Sequence, residues 1–305
     1  MDLWARDATL VADMHHRRAN AVYLPDVNFP ASLRATDSLA RALAETHVVV
    51  VAVPSHGVRD VVRQAAAHML PGTLVVSAAK GLEQDSLLRM SEVIGAELAD
   101  TTEDIAVLSG PSFAAEVARE LPTAIVVASA TTSAVERVQA EFRSPTLRLY
   151  GSADVIGVEI GGALKNVIAI AAGVVEGLGL GHNALSALIT RGLAEITRLA
   201  VAAGAQRETL AGLAGLGDLV LTCTGQLSRN RNVGIELARG RGLDQILAST
   251  RMIAEGVRTT RVALALGAQY GIELPIAAQM SEVLDGKRDP KLAVLELMGR
   301  RQRTE

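Results

Sequence analysis

One lysine, Lys165, sits inside Gly161-Gly162-Ala163-Leu164-Lys165-Asn166-Val167-Ile168-Ala169-Ile170, a segment with no other charge. Burying an ammonium is costly unless it is paired or neutralised, so the residue needs a reason. It reads either as a catalytic lysine on a helix, with a pKa lowered by its surroundings, or as one whose stem follows the core and whose head reaches water. Lys80, in Ala79-Lys80-Gly81-Leu82, is a candidate anion contact beside a glycine, or a solvated loop lysine. Gly110-Pro111-Ser112 opens a helix and offers N–H groups and a hydroxyl to an anion, although both residue types also serve as ordinary caps. Asp218 is a lone carboxylate in the apolar, glycine-flanked Gly215-Leu216-Gly217-Asp218-Leu219. Ser228-Arg229-Asn230-Arg231-Asn232 then gathers donors just ahead of a helix, which suits a phosphate. A turn cap at Asp218 and a solvated charged face at the arginines are the competing readings.

The elements that must position these residues fall into two kinds. Val48-Val49-Val50-Val51-Ala52-Val53 is a β-branched run of the sort buried on both faces of a parallel sheet. Thr73–Ser77, Ile105–Leu108 and Pro122–Ala128 read as further strands, and Asp2-Leu3-Trp4 as the tail of one. Between them, Ala8–Arg18, Ser38–Glu45, Val58–Leu70, Leu87–Leu98, Ser112–Arg119 and Thr132–Phe142 read as helices, and Tyr23–Asp26 as a turn. This alternation predicts βαβ units in an α/β, doubly wound parallel sheet, whose ligands bind beyond the carboxyl ends of the strands. Strand signals stop after Tyr150-Gly151-Ser152, and from Val155 onward every segment reads as helix. The expected boundary therefore divides a dinucleotide-binding domain, residues 1–150, from a helical substrate and catalytic domain, residues 151–305. In the second domain Arg191, Glu195 and Arg198 are spaced for a surface ion-pair set. No Gly-x-Gly-x-x-Gly follows a strand at the N-terminus, and Gly177-Leu178-Gly179-Leu180-Gly181 does not follow one either.

Composition narrows the class. Of 305 residues, 49% are apolar and 21% charged, a globular balance rather than a disordered one. A net charge of -3 and an aromatic content of 2% give no footprint for nucleic acid. The single cysteine, Cys223, excludes an internal disulfide framework and most cysteine-rich metal sites, and no metal is expected. The N-terminus has no signal-peptide pattern, and the uncharged run between Lys165 and Glu176 is far below the ~20 residues of a spanning helix. A soluble, cytoplasmic protein without membrane insertion is expected.

Together these segments resemble the bacterial NAD(P)-dependent sn-glycerol-3-phosphate dehydrogenases over essentially the whole chain. The motifs that carry the resemblance are Asn20–Asp26, Val53-Pro54-Ser55, Ala79-Lys80-Gly81-Leu82-Glu83, Ser109–Ala114, Gly161–Asn166, Gly215–Cys223, Ser228-Arg229-Asn230 and Ala254-Glu255-Gly256, in that order. The resemblance implies hydride transfer between NADP or NAD and a phosphorylated substrate, with dihydroxyacetone phosphate giving the glycerol phosphate of phospholipid synthesis. It assigns Lys165 as the acid/base residue. It assigns substrate binding to Lys80, Gly110, Ser112, Lys165, Asp218, Ser228, Arg229 and Asn230. Cofactor contacts fall on Arg6, Tyr23, Lys80, Ala114, Arg229, Ile253 and Glu255. Arg6 stands where an NADP enzyme places a cation for the 2′-phosphate, while Asp7 beside it suits NAD. An unperturbed lysine, near pKa ~10.4, protonates an alkoxide well but needs a lower value to act as a base. Relative to the family the chain begins inside the second strand, about 30 residues in, so an upstream start is expected. A related two-domain dehydrogenase acting on a ketopantoate-like or sugar-acid substrate, and an inactive truncated form, are the other readings. A homodimer is also expected.

Overall fold

The computed structural model describes the chain except for Asp100, Glu103, residues 251–253 and residues 300–305. Strands and helices alternate through β1 Asp2–Trp4, α1 Ala8–Arg17, β2 Ala19–Asn20, β3 Leu24–Asn28, β4 Arg34–Thr36, α2 Leu39–Leu43, β5 Val48–Val51, α3 Val58–Ala66, β6 Leu74–Ser77, α4 Met90–Leu98, β7 Ile105–Ser109, α5 Ala114–Ala118, β8 Thr123–Ser129, α6 Thr132–Phe142 and β9 Leu147–Ser152. The main sheet runs β5-β6-β7-β8-β9. Its β5–β6, β6–β7 and β8–β9 pairs are parallel, but β7–β8 is antiparallel, so the sheet is mixed where an all-parallel one was expected. β6 is buried along its length because side chains alternate between two cores. Val75 joins Val58, Val62, Ile94 and Leu98 from α3 and α4, whereas Leu74 and Val76 face Ala134 and Val138 of α6.

The valine run is less enclosed than its composition predicts: Val50 is 45% exposed. Among the described residues β5 pairs only with β6, and β1 only with β4, so an open edge accounts for it. Tyr23–Asp26 is not one turn. Residues 24–26 belong to β3, which pairs with β2 in a hairpin, and Pro25 is tolerated because neither strand lies inside a larger sheet. α4 begins three residues later than expected. Leu87 has φ 61°, Leu82 and Arg89 form a β-bridge, and the Arg89 N–H is held by the Glu92 carboxylate at 2.9 Å. α5 is likewise shorter than the expected Ser112–Arg119.

After β9 the described residues form only helices: α7 Val155–Gly177, α8 Gly181–Ala202, α9 Arg207–Ala211, a π turn at Leu213–Gly217, α10 Asp218–Thr224, α11 Arg229–Ala238, α12 Leu243–Ala248, α13 Glu255–Tyr270, α14 Pro275–Leu284 and α15 Pro290–Met298. α7 is the axis, with α8, α10, α11, α13 and α14 packed around it. It is apolar on all sides, as a helix buried on all sides must be. By length and composition it could cross a membrane, yet 89% of its most apolar stretch is buried inside the protein. Glu195 does not lie on the surface, where its spacing with Arg191 and Arg198 suggests it. It is 3% exposed, and its carboxylate accepts the Ile276 and Ala277 N–H groups at 2.9 and 3.0 Å, capping α14.

α7 and α11 touch backbone to backbone. A Cβ on Gly173 would lie 1.9 Å from the Arg231 carbonyl oxygen, and one on Gly234 would lie 1.9 Å from that of Ile170. Neither neighbour can swing aside, so a methyl must separate the helices. Gly173→Ala is expected to cost about 3 kcal/mol, read as a lowered urea midpoint; an unchanged midpoint would show that the helices part freely.

Candidate active site

Three elements converge on one carboxylate. Lys80 follows β6, Lys165 lies midway along α7, and Asp218 opens α10 directly after the π turn. Such a turn inserts an extra residue into a helix and re-aims the side chains beyond it. The Asp218 carboxylate, 1% exposed, accepts Lys80 Nζ at 2.7 Å on Oδ2 and Lys165 Nζ on Oδ1. Lys80 also donates to the Gly110 carbonyl at 2.9 Å, and Lys165 to Thr222 Oγ1 at 3.0 Å. Burial pushes the Lys165 ammonium down to about 7, the charge on Lys80 pushes the same way, and Asp218 opposes both. Burial alone would raise the Asp218 carboxyl, but Lys80 and Lys165 override it and hold the group below its ordinary value. Nearby Cys223 is not a nucleophile, since burial pushes its thiol up to about 12.

The substrate residues expected from the sequence gather around this centre to different degrees. Gly110 joins through its carbonyl, which also accepts Ser112 Oγ at 3.0 Å. Asn230 is buried and held at both ends of its amide: its Nδ2 donates to Asn166 Oδ1 at 2.9 Å, beside Lys165, and its Oδ1 accepts the Gly256 N–H at 2.9 Å. Ser228 is buried and caps α11 by accepting the Arg231 N–H at 3.3 Å. Arg229 is exposed on the first turn of α11, whereas Arg231 turns away to Glu176.

Of the expected cofactor residues, Lys80 lies on Asp218 and Arg229 on α11, and the other described ones fall in two further places. Glu255 opens α13, and its carboxylate accepts the Ser55 N–H and hydroxyl at 3.0 and 2.6 Å. Next to Ser55, the His56 imidazole is held below its ordinary value by burial, then by Arg258, with Glu255 opposing and Arg6 adding to the effect. Arg6, at the end of β1, thus shares a corner with Glu255, His56 and Arg258. Elsewhere, Tyr23 is 45% exposed at the tip of the β2–β3 hairpin, and β3 packs on α5, whose first residue is Ala114. Ile253 lies outside the described residues. Sequence reasoning passed over Ser55, Asn166 and Thr222 as functional groups, although all three stand in motifs it singled out. Ser77 Oγ and Ser109 Oγ, buried at the carboxyl ends of β6 and β7, find no partner within the protein. Both are covered by the protein itself, and it is the Arg6 and Arg258 guanidiniums near His56 that suit the anionic groups of a cofactor.

Comparison with known proteins accords with this geometry. Residues 1–135 match the model for the NAD-dependent glycerol-3-phosphate dehydrogenase N-terminus, and residues 154–295 that for its C-terminus. The chain is 51% identical to the glycerol-3-phosphate dehydrogenase [NAD(P)+] of Geobacter metallireducens over 99% of its own length and 91% of that protein. It is 50% identical to that of Koribacter versatilis, covering 99% and 90%. The crystal structure of glycerol-3-phosphate dehydrogenase from Coxiella burnetii superposes with a TM-score of 0.94 at 38% identity, covering 98% of this chain and 91% of that one. A ketopantoate reductase from Ralstonia eutropha, at 14% identity and a TM-score of 0.57 over 92% and 89% of the two chains, shares the fold alone.

Replacing Asp218 by Asn keeps the shape but leaves two ammonium groups facing each other out of water. Breaking a buried pair from one side costs about 3–5 kcal/mol, so urea unfolding of Asp218→Asn is expected to show a loss of that order. A loss under about 1 kcal/mol would mean that the carboxylate does not hold the lysines together.

Proposed function

The chain belongs to the NAD-dependent glycerol-3-phosphate dehydrogenase family, and within that family's reaction we propose that Lys165 carries the proton and the start of α11 holds the substrate phosphate. The enzyme interconverts sn-glycerol 3-phosphate and dihydroxyacetone phosphate with NAD or NADP. The observation that carries the assignment is the Lys80–Asp218–Lys165 group, where the buried Lys165 ammonium is pushed down to about 7 while sharing one carboxylate with Lys80.

When bound, the nicotinamide supplies or takes up the hydride at the substrate's second carbon. In reduction the ketone oxygen gains negative charge, and Lys165 Nζ donates the proton that neutralises it. In oxidation the neutral Lys165 amine takes the hydroxyl proton before the hydride departs. Lys80 supplies a fixed positive charge toward the same oxygen. Asp218 holds both nitrogens, and Thr222 fixes the direction of the Lys165 head.

For the phosphate, the exposed Arg229 guanidinium stands on the first turn of a ten-residue helix beside its free N–H groups. Gly110 and Ser112 border the substrate from the sheet side, while Ser228 and Asn230 build the α11 end. On the cofactor, Arg6 suits a 2′-phosphate, and Tyr23, Ala114, Ile253 and Glu255 are the further proposed contacts. In this reading residues 1–150 hold the cofactor and residues 151–305 the substrate. A cytoplasmic setting and a product destined for glycerophospholipids belong to the same proposal. So does a homodimer, in which a second copy can cover the exposed Leu292, Leu295 and Met298 of α15.

Lys165→Ala is expected to lower kcat by at least ~100-fold while leaving the KM of the phosphate substrate within about twofold. Near-normal turnover would remove Lys165 from the chemistry. The pH dependence has opposite signs in the two directions. Below about 7 Lys165 is the ammonium that reduction needs, and above it the amine that oxidation needs. Thus kcat/KM for ketone reduction should fall, and that for alcohol oxidation should rise, as pH increases through about 7; profiles flat across that range would overturn the assignment.

A further inference from the structure

We infer that Ser55 is a positioning residue for the cofactor, acting by setting the direction of the Glu255 carboxylate across the cleft between sheet and helices. The inference rests on the reading of Glu255 as a cofactor contact. Ser55 opens the single 3-10 turn between β5 and α3 and is 5% exposed. Its N–H donates to Glu255 Oε1 at 3.0 Å and its hydroxyl to Oε2 at 2.6 Å, across 200 residues of sequence. Two donors from one residue on the two oxygens of one carboxylate fix both its plane and its direction. An ionised carboxylate only accepts, and each oxygen keeps a second lone pair. The group so fixed therefore suits a neutral donor, a ribose hydroxyl or a carboxamide N–H, and not a phosphate.

Two further observations tie this contact to the working site. The residue after Glu255 is fastened on the other side: the Gly256 N–H is held by Asn230, whose amide reaches Asn166 beside Lys165. The first turn of α13 is therefore pinned between the sheet's ligand edge and the helix that carries the catalytic lysine. The loop after β6 also makes room for the contact. A Cβ on Gly81, next to Lys80, would lie 2.5 Å from Ser55 Cβ, 2.6 Å from its hydroxyl and 3.5 Å from Glu255 Oε2. Among the described residues, the other polar links from sheet to helices are Lys80–Asp218, which serves the chemistry, and Glu159 with Arg89 and Ser91, which is buried at the α4–α7 contact. Ser55–Glu255 is the link that faces the cofactor corner.

The test uses the full chain and fluorescence titration with NADH and NADPH, together with steady-state kinetics. Ser55→Ala removes the charge-assisted hydroxyl bond and keeps the backbone one, so the cofactor Kd is expected to rise roughly 10-fold. The KM of dihydroxyacetone phosphate and kcat at saturating cofactor should stay within about twofold. Gly81→Ala, which displaces the hydroxyl while keeping both the serine and the glutamate in the chain, should weaken cofactor binding alike, and the double variant no further than either single one. If Ser55→Ala does not fold, Gly81→Ala alone decides. Unchanged cofactor binding overturns the inference, as does an equal loss in cofactor affinity, substrate KM and kcat, which a mere tether between domains would give. Glu255→Ala separates the contact from its positioning. If it leaves cofactor binding intact, the assignment of Glu255 fails and the inference with it. If it weakens binding and the Ser55 and Gly81 variants do not, the inference alone fails.

Discussion

One carboxylate and one lysine withdrawn from bulk water, with a second lysine at their edge, set the terms for everything around them. Lys165 has no exit to solvent along α7, which is buried through residues 157–175. It can stay there only because Asp218 and Thr222 meet its head. Asp218 in turn tolerates burial because a second cation, Lys80, approaches its other oxygen from the sheet. Each group is thus a condition for the other two, and the three come from a strand end, a helix middle and a helix start. The interlock also fixes an asymmetry. Lys80 is partly open to solvent and Lys165 is not, so the cost of burial falls on Lys165, the lysine proposed above to carry the proton.

Much of this centre was legible in the sequence because a charge inside an apolar or glycine-flanked segment must be answered by something. Lys165, Lys80 and Asp218 each stood out on that ground. Pairing was not legible, since the partners are 53 and 138 residues apart and local pattern reports burial but not neighbours. Glu195 shows the same limit from the other side. Its spacing from Arg191 and Arg198 suits a surface position, yet it is buried and its carboxylate caps a helix whose bonded N–H lies 81 residues later. Ser55 was invisible as a functional group because a serine after Val53-Pro54 is an ordinary turn residue until Glu255 is placed beside it. Asn166 and Thr222 were hidden in the same way. The alternation of strands and helices was read correctly, since periodicity records it directly. Its errors cluster where short elements obey tertiary contacts: the hairpin around Tyr23, the late start of α4 and the exposed Val50.

The reversed direction of β8 has a bearing on how charge is handled in the cleft. Because β8 and β9 run against β5, β6 and β7, they end at the rear of the sheet, away from Ser55, Lys80 and Gly110. α7 therefore starts at the rear and travels forward along β7. Val158 packs with Val107, and one turn on, a Cβ at Gly162 would lie 2.7 Å from Ser109 Oγ at the ligand edge. In an ordinary βα crossover the helix would begin at that edge, presenting the positive end of its macrodipole and its unbonded N–H groups to the ligand. Here the helix passes the edge in mid-course, where its amides are already bonded to one another. It brings no partial charge of its own, so the electrostatics at this point are written entirely in side chains. That leaves the field at this edge to Lys80, Lys165 and Asp218.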